Sequence, residues 1–299
     1  MLGMFERFID EFKRRSLEPE AAVVQQTLSE EELIAILPQF DGWIIGDDPA
    51  TSEVLSAGAA GRLRAIVKWG VGVDNVDFAA AADLGLKSAH TPGVFGREVA
   101  DLAVHYVGGL ARQSFRIDRE IRQNGAWPKY PGRSLAGKLV ALVGFGDIGR
   151  NIARRLLAAE MTVRVYDPYC EPIDLASVER REWPQSIGDA DFILFSAPLN
   201  DSTHRMLNRS ILPQLKDGVR IVNVGRGPVI EEQALVEGLE SGKIHSVALD
   251  VFEEEPLPAD SPLRSYPDNI FGSHNGSNTV EAVERVSRLA IELIADMLK

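Results

Sequence analysis

The second half of the chain alternates short apolar runs with helical segments, and this pattern constrains the fold more than any other feature. Five runs are rich in strand-forming residues: 139–143, 162–166, 192–197, 220–224 and 246–249. Because a helical segment separates each run from the next, parallel strands joined by right-handed crossovers are the simple arrangement. The sequence therefore predicts a doubly wound, parallel α/β sheet in this half.

A glycine-rich turn follows the first of these runs. Gly144-Phe-Gly-Asp-Ile-Gly149 stands between strand 139–143 and a helix predicted over 150–159, which is the setting of a dinucleotide fingerprint. Gly144 permits a tight turn, Gly146 lets a pyrophosphate approach the backbone, and Gly149 lets the helix pack closely. The start of the helix attracts the anion. Alone, the pattern does not distinguish a nucleotide site from a structural turn.

Asp167 ends the next predicted strand. An acidic residue at this place accepts hydrogen bonds from the adenosine ribose hydroxyls. No Lys or Arg stands in Pro168-Tyr-Cys170 to receive a 2′-phosphate, so NAD is preferred over NADP. The alternative is that Asp167 is an ordinary residue of a strand-end turn.

The composition of the chain limits the kinds of binding partner that we expect. The net charge of −12 and the absence of a Lys/Arg block disfavour nucleic acid and anionic membranes as partners. No apolar run approaches the roughly 18 residues that a membrane span needs, and the first residues lack the apolar stretch of a signal peptide. Cys170 is the single cysteine, which fits a reducing compartment. We expect a cytoplasmic protein, and because no His has a second ligand at metal spacing, we expect no metal.

The first half predicts a smaller α/β unit, with strands at 42–46 and 64–68 between amphipathic helices. Its opening helix has no strand before it, although a parallel α/β unit normally begins with one. We expect that this strand is missing from the sequence or that another segment takes its place. One long helix is predicted over 94–124, and the last helix over 279–299. The predicted domains are 1–93 with 283–299, and 94–282.

Three polar residues of the second half are interpreted as standing at strand ends: Arg226, Glu255 and His274. Each alone has an ordinary interpretation, as a solvated loop arginine, a charged surface turn and a structural histidine. Together they suit a 2-keto acid, because Arg226 can hold a carboxylate and His274 can donate a proton near neutral pH. Glu255 beside the imidazole would stabilise its charged form. Ligands bind at the carboxyl ends of strands in such sheets, so the residues predict hydride chemistry on a 2-keto or 2-hydroxy acid.

With the motifs around them, these residues resemble the D-isomer-specific 2-hydroxyacid dehydrogenase family. The resemblance covers nearly the whole chain, and the motif sequences are similar to those of phosphoglycerate dehydrogenase-like and glyoxylate/hydroxypyruvate reductase-like members. The motifs are Gly70-Val-Gly-Val-Asp-Asn-Val-Asp77, Thr91-Pro-Gly93, Leu135-Ala-Gly-Lys138, the glycine turn, Ala197-Pro-Leu199, Gly225-Arg-Gly227, 250–256 and His274.

The resemblance implies a role for each matching position. The implied catalytic residues are Arg226, Glu255 and His274, with His274 as general acid and base. The implied NAD site comprises Gly144, Gly146, Ile148, Gly149, Asp167, Pro198 and Asp250, and the implied substrate site comprises Val71, Gly72 and Arg226. The resemblance also implies a Rossmann NAD domain inserted in a smaller flavodoxin-like substrate domain that closes over it, and a homodimer formed through the NAD domains.

The substrate remains open at this point. Family members that act on phosphorylated substrates tend to carry basic residues where this chain has Asp47 and Asp48, so a small unphosphorylated acid such as glyoxylate or hydroxypyruvate is preferred. One alternative is 3-phosphoglycerate dehydrogenase activity. Another is a non-catalytic, NAD-sensing protein like the corepressors that share this fold, and a third is an inactive, truncated product.

Overall fold

The computed structural model of the protein describes residues 1–24, 27–170 and 178–299. It divides into two compact units, Met1–Phe95 with Asn278–Lys299, and Gly96–Ser277. The domain boundaries predicted at 93/94 and 282/283 lie close to these divisions.

The smaller unit is a three-stranded parallel sheet with helices on both faces. Its strands are β1 (Gly42–Ile45), β2 (Ala65–Lys68) and β3 (Lys87–His90), with β2 in the centre. Its helices are α1 (Ile9–Arg14), α2 (Glu30–Ile36), α3 (Ser52–Ala60), α4 (Phe78–Asp83) and the C-terminal helix (Val280–Met297). Alternate residues of β2 enter different cores, because Ile66 packs with Leu55 of α3 whereas Val67 packs with Ile294 of the C-terminal helix.

Local sequence signals explain how α2 begins and how the segment of α1 packs. Ser29 accepts a hydrogen bond from the Glu32 N–H and Glu32 accepts one from the Ser29 N–H, which is the capping box that the Ser-Glu-Glu-Glu run predicts. Phe8 and Phe12, at helical spacing in the sequence, are buried in one cluster with Ile291 of the C-terminal helix.

The larger unit contains a seven-stranded, wholly parallel sheet. Its strands are β4 (Leu139–Val143), β5 (Thr162–Tyr166), β6 (Val178–Arg180), β7 (Phe192–Phe195), β8 (Val219–Asn223), β9 (Ile244–Leu249) and β10 (Ile270–Phe271). Their order is β10-β9-β8-β7-β4-β5-β6. Its helices are α5 (Gly96–Arg112), α6 (Ser114–Asn124), α7 (Asp147–Ala158) and α8 (Glu232–Glu240). The predicted parallel α/β class is therefore confirmed.

The prediction of one long helix over 94–124 is wrong. Gln113 adopts a left-handed conformation with φ 53°, which separates α5 from α6. A glutamine there carries no signal of a break, since the left-handed region is unfavourable for residues other than glycine.

Parallel strands bring their carboxyl ends to one edge of the sheet. β4, β5, β7, β8 and β9 are neighbours in the larger sheet, and the loops that follow them carry most of the candidate site residues. This edge is where open α/β sheets bind ligands.

Candidate active site

The glycine turn after β4 is built to place a helix N-terminus against a ligand. Gly144 has φ 89°, and a Cβ there would lie 2.7 Å from the backbone N of Ala197. A Cβ on Gly149 would lie 2.2 Å from the Gly144 carbonyl oxygen, because α7 rests directly on the turn. Around Gly146 a Cβ would meet nothing within 4 Å. Gly146 is also the N-cap of α7 and supplies no side-chain cap, so its position suits the approach of a pyrophosphate to the backbone N–H groups.

Asp167 lies beside the same turn. Its carboxylate accepts hydrogen bonds from the Phe145 N–H at 2.7 Å and from the Tyr169 N–H at 2.8 Å, one on each oxygen. Because a carboxylate has about four lone-pair sites, these two bonds leave acceptor capacity for ribose hydroxyls. The turn and Asp167 together therefore fit a dinucleotide.

Two other predicted cofactor residues lie at this edge. Ile148 is half-buried in the first turn of α7, and Pro198 is exposed in the loop after β7. The Pro198 carbonyl accepts a hydrogen bond from the Thr203 hydroxyl at 2.6 Å, which fixes the direction of that loop.

His274 and Glu255 form a direct pair. His274 Nδ1 lies 2.8 Å from Glu255 Oε2, and Glu255 Oε1 accepts a hydrogen bond from the Phe252 N–H at 3.0 Å. Burial would raise the pKa of Glu255, but the hydrogen bonds from His274 and Phe252, with the charges of His274 and Arg226, lower it below its ordinary value. Glu255 is therefore held in the charged form that suits an imidazolium partner.

Arg226 is placed by the loop after β8. The buried side chain of Asn223 accepts a hydrogen bond from the Gly225 N–H at 3.0 Å and donates one to the Arg226 carbonyl at 2.9 Å. At Gly227 a Cβ would lie only 1.7 Å from the Phe252 carbonyl oxygen. The loop that carries Arg226 thus packs directly on the segment that carries Glu255, and the absence of a side chain at Gly227 is what allows it.

Asp250 follows β9 and accepts hydrogen bonds from the backbone of the loop that carries His274. Its side chain is buried, and its backbone carbonyl accepts a hydrogen bond from the His274 N–H at 2.7 Å. Its carboxylate accepts one from the Asn275 N–H at 3.2 Å and one from the Gly276 N–H at 2.8 Å. Three successive backbone amides therefore bond to one residue, and His274 is held in a left-handed conformation with φ 54°.

The predicted substrate residues Val71 and Gly72 belong to the smaller unit, in the turn after β2. Gly70 opens this turn with φ 134°, and its N–H donates to the buried Thr91 hydroxyl at 2.8 Å. Val71 is exposed. Its side chain therefore does not serve the core, and the turn is fixed by the backbone and by Thr91.

The larger unit thus brings Arg226, Glu255 and His274 together, and it gathers the predicted cofactor residues at the same edge of the sheet. This arrangement can hold an anion, stabilise an imidazolium and exchange a proton. Sequence reasoning missed Asn223 as the side chain that shapes the Arg226 loop. Its position as the last residue of a buried strand, two residues before Gly225, is the signal that could have found it.

The described residues also bear on metal binding and on membrane insertion. No group of three or more His, Cys, Asp or Glu side chains in that part of the chain is arranged to hold a metal ion, and the prediction of no metal stays a prediction. Across residues 1–24, 27–170 and 178–299, no helix combines the length and apolar character that crossing a bilayer requires.

Comparisons with known proteins agree with this fold. The family model for the NAD-binding domain of D-isomer specific 2-hydroxyacid dehydrogenases matches residues 104–276. A hydroxypyruvate reductase of Thermotoga maritima is 37% identical over 286 residues, which cover 94% of this chain and 91% of that protein. The TT0316 protein of Thermus thermophilus, a solved structure, superposes with a TM-score of 0.89 at 31% identity, covering 98% of this chain and 93% of that one.

A longer relative is similar as well. D-3-phosphoglycerate dehydrogenase 2 of Arabidopsis thaliana, a chloroplastic protein, is 36% identical over 277 residues, which are 91% of this chain but 44% of that protein. The chain therefore spans about half the length of this relative. From the family model, the identity over nearly the whole chain and the shared fold, it follows that the chain belongs to the D-isomer specific 2-hydroxyacid dehydrogenases, which are NAD-dependent oxidoreductases.

Proposed function

We propose that this protein transfers hydride between NAD(H) and a small, unphosphorylated 2-keto or D-2-hydroxy acid, such as hydroxypyruvate or glyoxylate. The observation that carries the proposal is the 2.8 Å pair of His274 and Glu255 at the carboxyl edge of the NAD-binding sheet. When bound, NADH supplies the hydride that the carbonyl carbon accepts. His274 donates a proton to the carbonyl oxygen through Nε2, since Nδ1 faces Glu255. In the direction of oxidation, His274 accepts the proton from the hydroxyl group.

The other residues bind and orient the acid. Arg226 holds the substrate carboxylate, because its planar guanidinium matches two carboxylate oxygens. Its charge also acts on Glu255, whose pKa it helps to lower. We also assign substrate binding to the smaller unit, where the backbone N–H groups of Val71 and Gly72 are the proposed binding groups.

The charges of the smaller unit support an unphosphorylated substrate. Lys68 is buried, and its ammonium donates to the Gly46 carbonyl and lies 3.4 Å from the exposed Asp47 carboxylate. Asp47 therefore offsets the charge of Lys68 and would repel a phosphate. The name of the Thermotoga relative, hydroxypyruvate reductase, supports the same choice, whereas the D-3-phosphoglycerate dehydrogenases favour the phosphorylated alternative.

A substrate panel tests the proposal. NADH oxidation is followed by absorbance with hydroxypyruvate, glyoxylate and 3-phosphohydroxypyruvate, using wild type and Asp47→Asn. We expect the unphosphorylated acids to have the higher kcat/KM, and Asp47→Asn to improve the phosphorylated acid more than the others. A preference of the wild type for the phosphorylated acid would contradict the substrate class. Binding of NADH without turnover of any keto acid would favour the non-catalytic sensor instead.

We propose in addition that the protein is a homodimer formed through the NAD-binding units. Helix α6 buries none of its residues and exposes 37% of Phe115 and 40% of Ile121, and the loop after it exposes 81% of Trp127. Such apolar exposure on one element marks an interaction surface. Light scattering should give twice the chain mass for the wild type and a lower mass for Trp127→Ser. A monomeric wild type would contradict this assembly. The cytoplasmic location and the absence of a nucleic-acid partner remain predictions.

A further inference from the structure

A tyrosine on α5 reaches the residue that holds the loop of His274. Tyr106 is 4% exposed, and its hydroxyl donates to Asp250 Oδ1 at 3.5 Å. Burial, followed by the charge of Asp250, raises the pKa of Tyr106, so the phenol keeps its proton and acts as a donor. The bond is long, but its acceptor is a buried carboxylate for which each hydrogen-bond donor matters.

The position of this hydroxyl is tightly defined. A Cβ on Gly272 would lie 2.1 Å from Asp250 Oδ1 and 2.4 Å from the Tyr106 hydroxyl oxygen. Both oxygens therefore lie against the backbone of Gly272, two residues before His274. Helix α5 packs on α7, β8, β9 and β10, so Tyr106 is anchored to the body of the unit.

The carboxylate of Asp250 already receives the N–H groups of Asn275 and Gly276. With Tyr106 it has three donors, two of which belong to the loop and one to the helix. The loop has no regular secondary structure from Gly272 through Gly276, and this buried carboxylate is a hydrogen-bonded connection between the loop and α5.

We propose that Tyr106 is a positioning residue, whose hydroxyl fixes the Asp250 carboxylate and through it the orientation of the His274 imidazole. This inference rests on the proposed function, in which His274 exchanges the proton. The alternative is that Tyr106 only fills space in the core, in which case its ring matters and its hydroxyl does not.

The test removes the hydroxyl and keeps the ring. Tyr106→Phe is compared with Tyr166→Phe, which removes the hydroxyl of another buried tyrosine of the same unit, bonded to the Gln185 carbonyl at 2.7 Å. Hydrogen exchange of the amides of residues 272–278 reports on the loop, and kcat, the Kd for NADH and the pH–rate profile report on the chemistry. For Tyr106→Phe we expect faster exchange in the loop and a kcat about 5- to 30-fold lower, a larger change than that in the Kd for NADH.

We expect Tyr166→Phe to leave loop exchange and kcat at wild-type values. Unchanged kcat in Tyr106→Phe would overturn the inference, whether or not exchange became faster, because the hydroxyl would then be merely structural. A lower kcat without faster exchange would overturn it too, since the effect would not pass through the loop. If the wild type turned over no keto acid, the proposed function would fail, and unchanged exchange in Tyr106→Phe would separately exclude the connection to the loop.

Discussion

Replacing Glu255 with glutamine removes one charge and leaves the side chain almost the same size. The amide oxygen can still accept the hydrogen bond from the Phe252 N–H, now 3.0 Å from Glu255 Oε1. The atom that faces His274 Nδ1, now an oxygen at 2.8 Å, becomes an NH₂ donor. An imidazolium has N–H groups on both ring nitrogens, so this donor opposes the protonated form of His274 and favours the neutral form.

The expected loss of activity in Glu255→Gln follows from the solvent exposure of His274 and Glu255. A hydrogen bond to a charged group contributes about 1.5–3 kcal/mol. Because the His274 side chain is 36% exposed and that of Glu255 is 25% exposed, solvent screening reduces this to about 1–2 kcal/mol. Since about 1.4 kcal/mol is a factor of ten, kcat/KM for keto-acid reduction at neutral pH should fall about 5- to 30-fold. The alkaline limb of the pH–rate profile should move down by about one pH unit, because a less stabilised imidazolium loses its proton earlier.

The assay is NADH oxidation across the pH range, with Glu254→Gln as the matched control. Glu254 is exposed beside Glu255, so its replacement removes the same charge without touching the pair, and we expect its profile to follow the wild type. Identical pH–rate profiles for Glu255→Gln and Glu254→Gln would refute the reasoning.

Three further predictions concern packing, acid stability and cofactor choice. Gly227→Ala places a Cβ 1.7 Å from the Phe252 carbonyl oxygen and should lower the free energy of unfolding by about 1–3 kcal/mol. Gly108→Ala lies in helix α5, where a Cβ would meet nothing within 4 Å, and it should raise the free energy of unfolding by about 0.5–1 kcal/mol. Equal denaturant midpoints for the two variants and the wild type would contradict both expectations. Burial lowers the pKa of His245 below its ordinary value of 6.5, so the neutral imidazole contributes its full stabilisation above pH 6.5 and loses it as the pH falls further. The Tm of His245→Gln should therefore fall less steeply below pH 6.5 than that of the wild type. Parallel plots of Tm against pH for the two proteins would contradict this. Asp167→Asn should weaken NADH binding about tenfold and reduce the ratio by which the protein prefers NADH to NADPH. Fluorescence titration with both cofactors measures this ratio, and an unchanged ratio would contradict the role of Asp167 in binding the ribose.

Much of the fold was predictable because its signals are local. Strands β4 and β5 have the bounds that their apolar runs predicted, and the capping box of Ser29 is encoded within four residues. The glycine spacing of the nucleotide turn is equally direct, since each glycine meets a separate steric need. Arg226 could be named for the same reason, because it stands just after the predicted strand 220–224, whereas Glu255 and His274 were named with it from the chemistry that the three side chains share.

The parts that escaped prediction depend on contacts between distant segments. The left-handed Gln113 that separates α5 from α6 carries no local signal of a break. The two-residue strand β10 exists because it pairs with β9, which no periodicity reveals. Tyr106 reads in the sequence as one more residue of a mostly apolar helix, and its hydroxyl acquires a partner only when α5 lies beside Asp250.

The proposed function depends above all on His274, which exchanges the proton while hydride moves between NAD(H) and the acid. Turnover of hydroxypyruvate with NADH by wild type and His274→Gln, with NADH affinity measured in parallel, tests it most directly. We expect His274→Gln to lose roughly 10²- to 10⁴-fold in kcat with unchanged NADH affinity. A variant that turns over as fast as the wild type would contradict it.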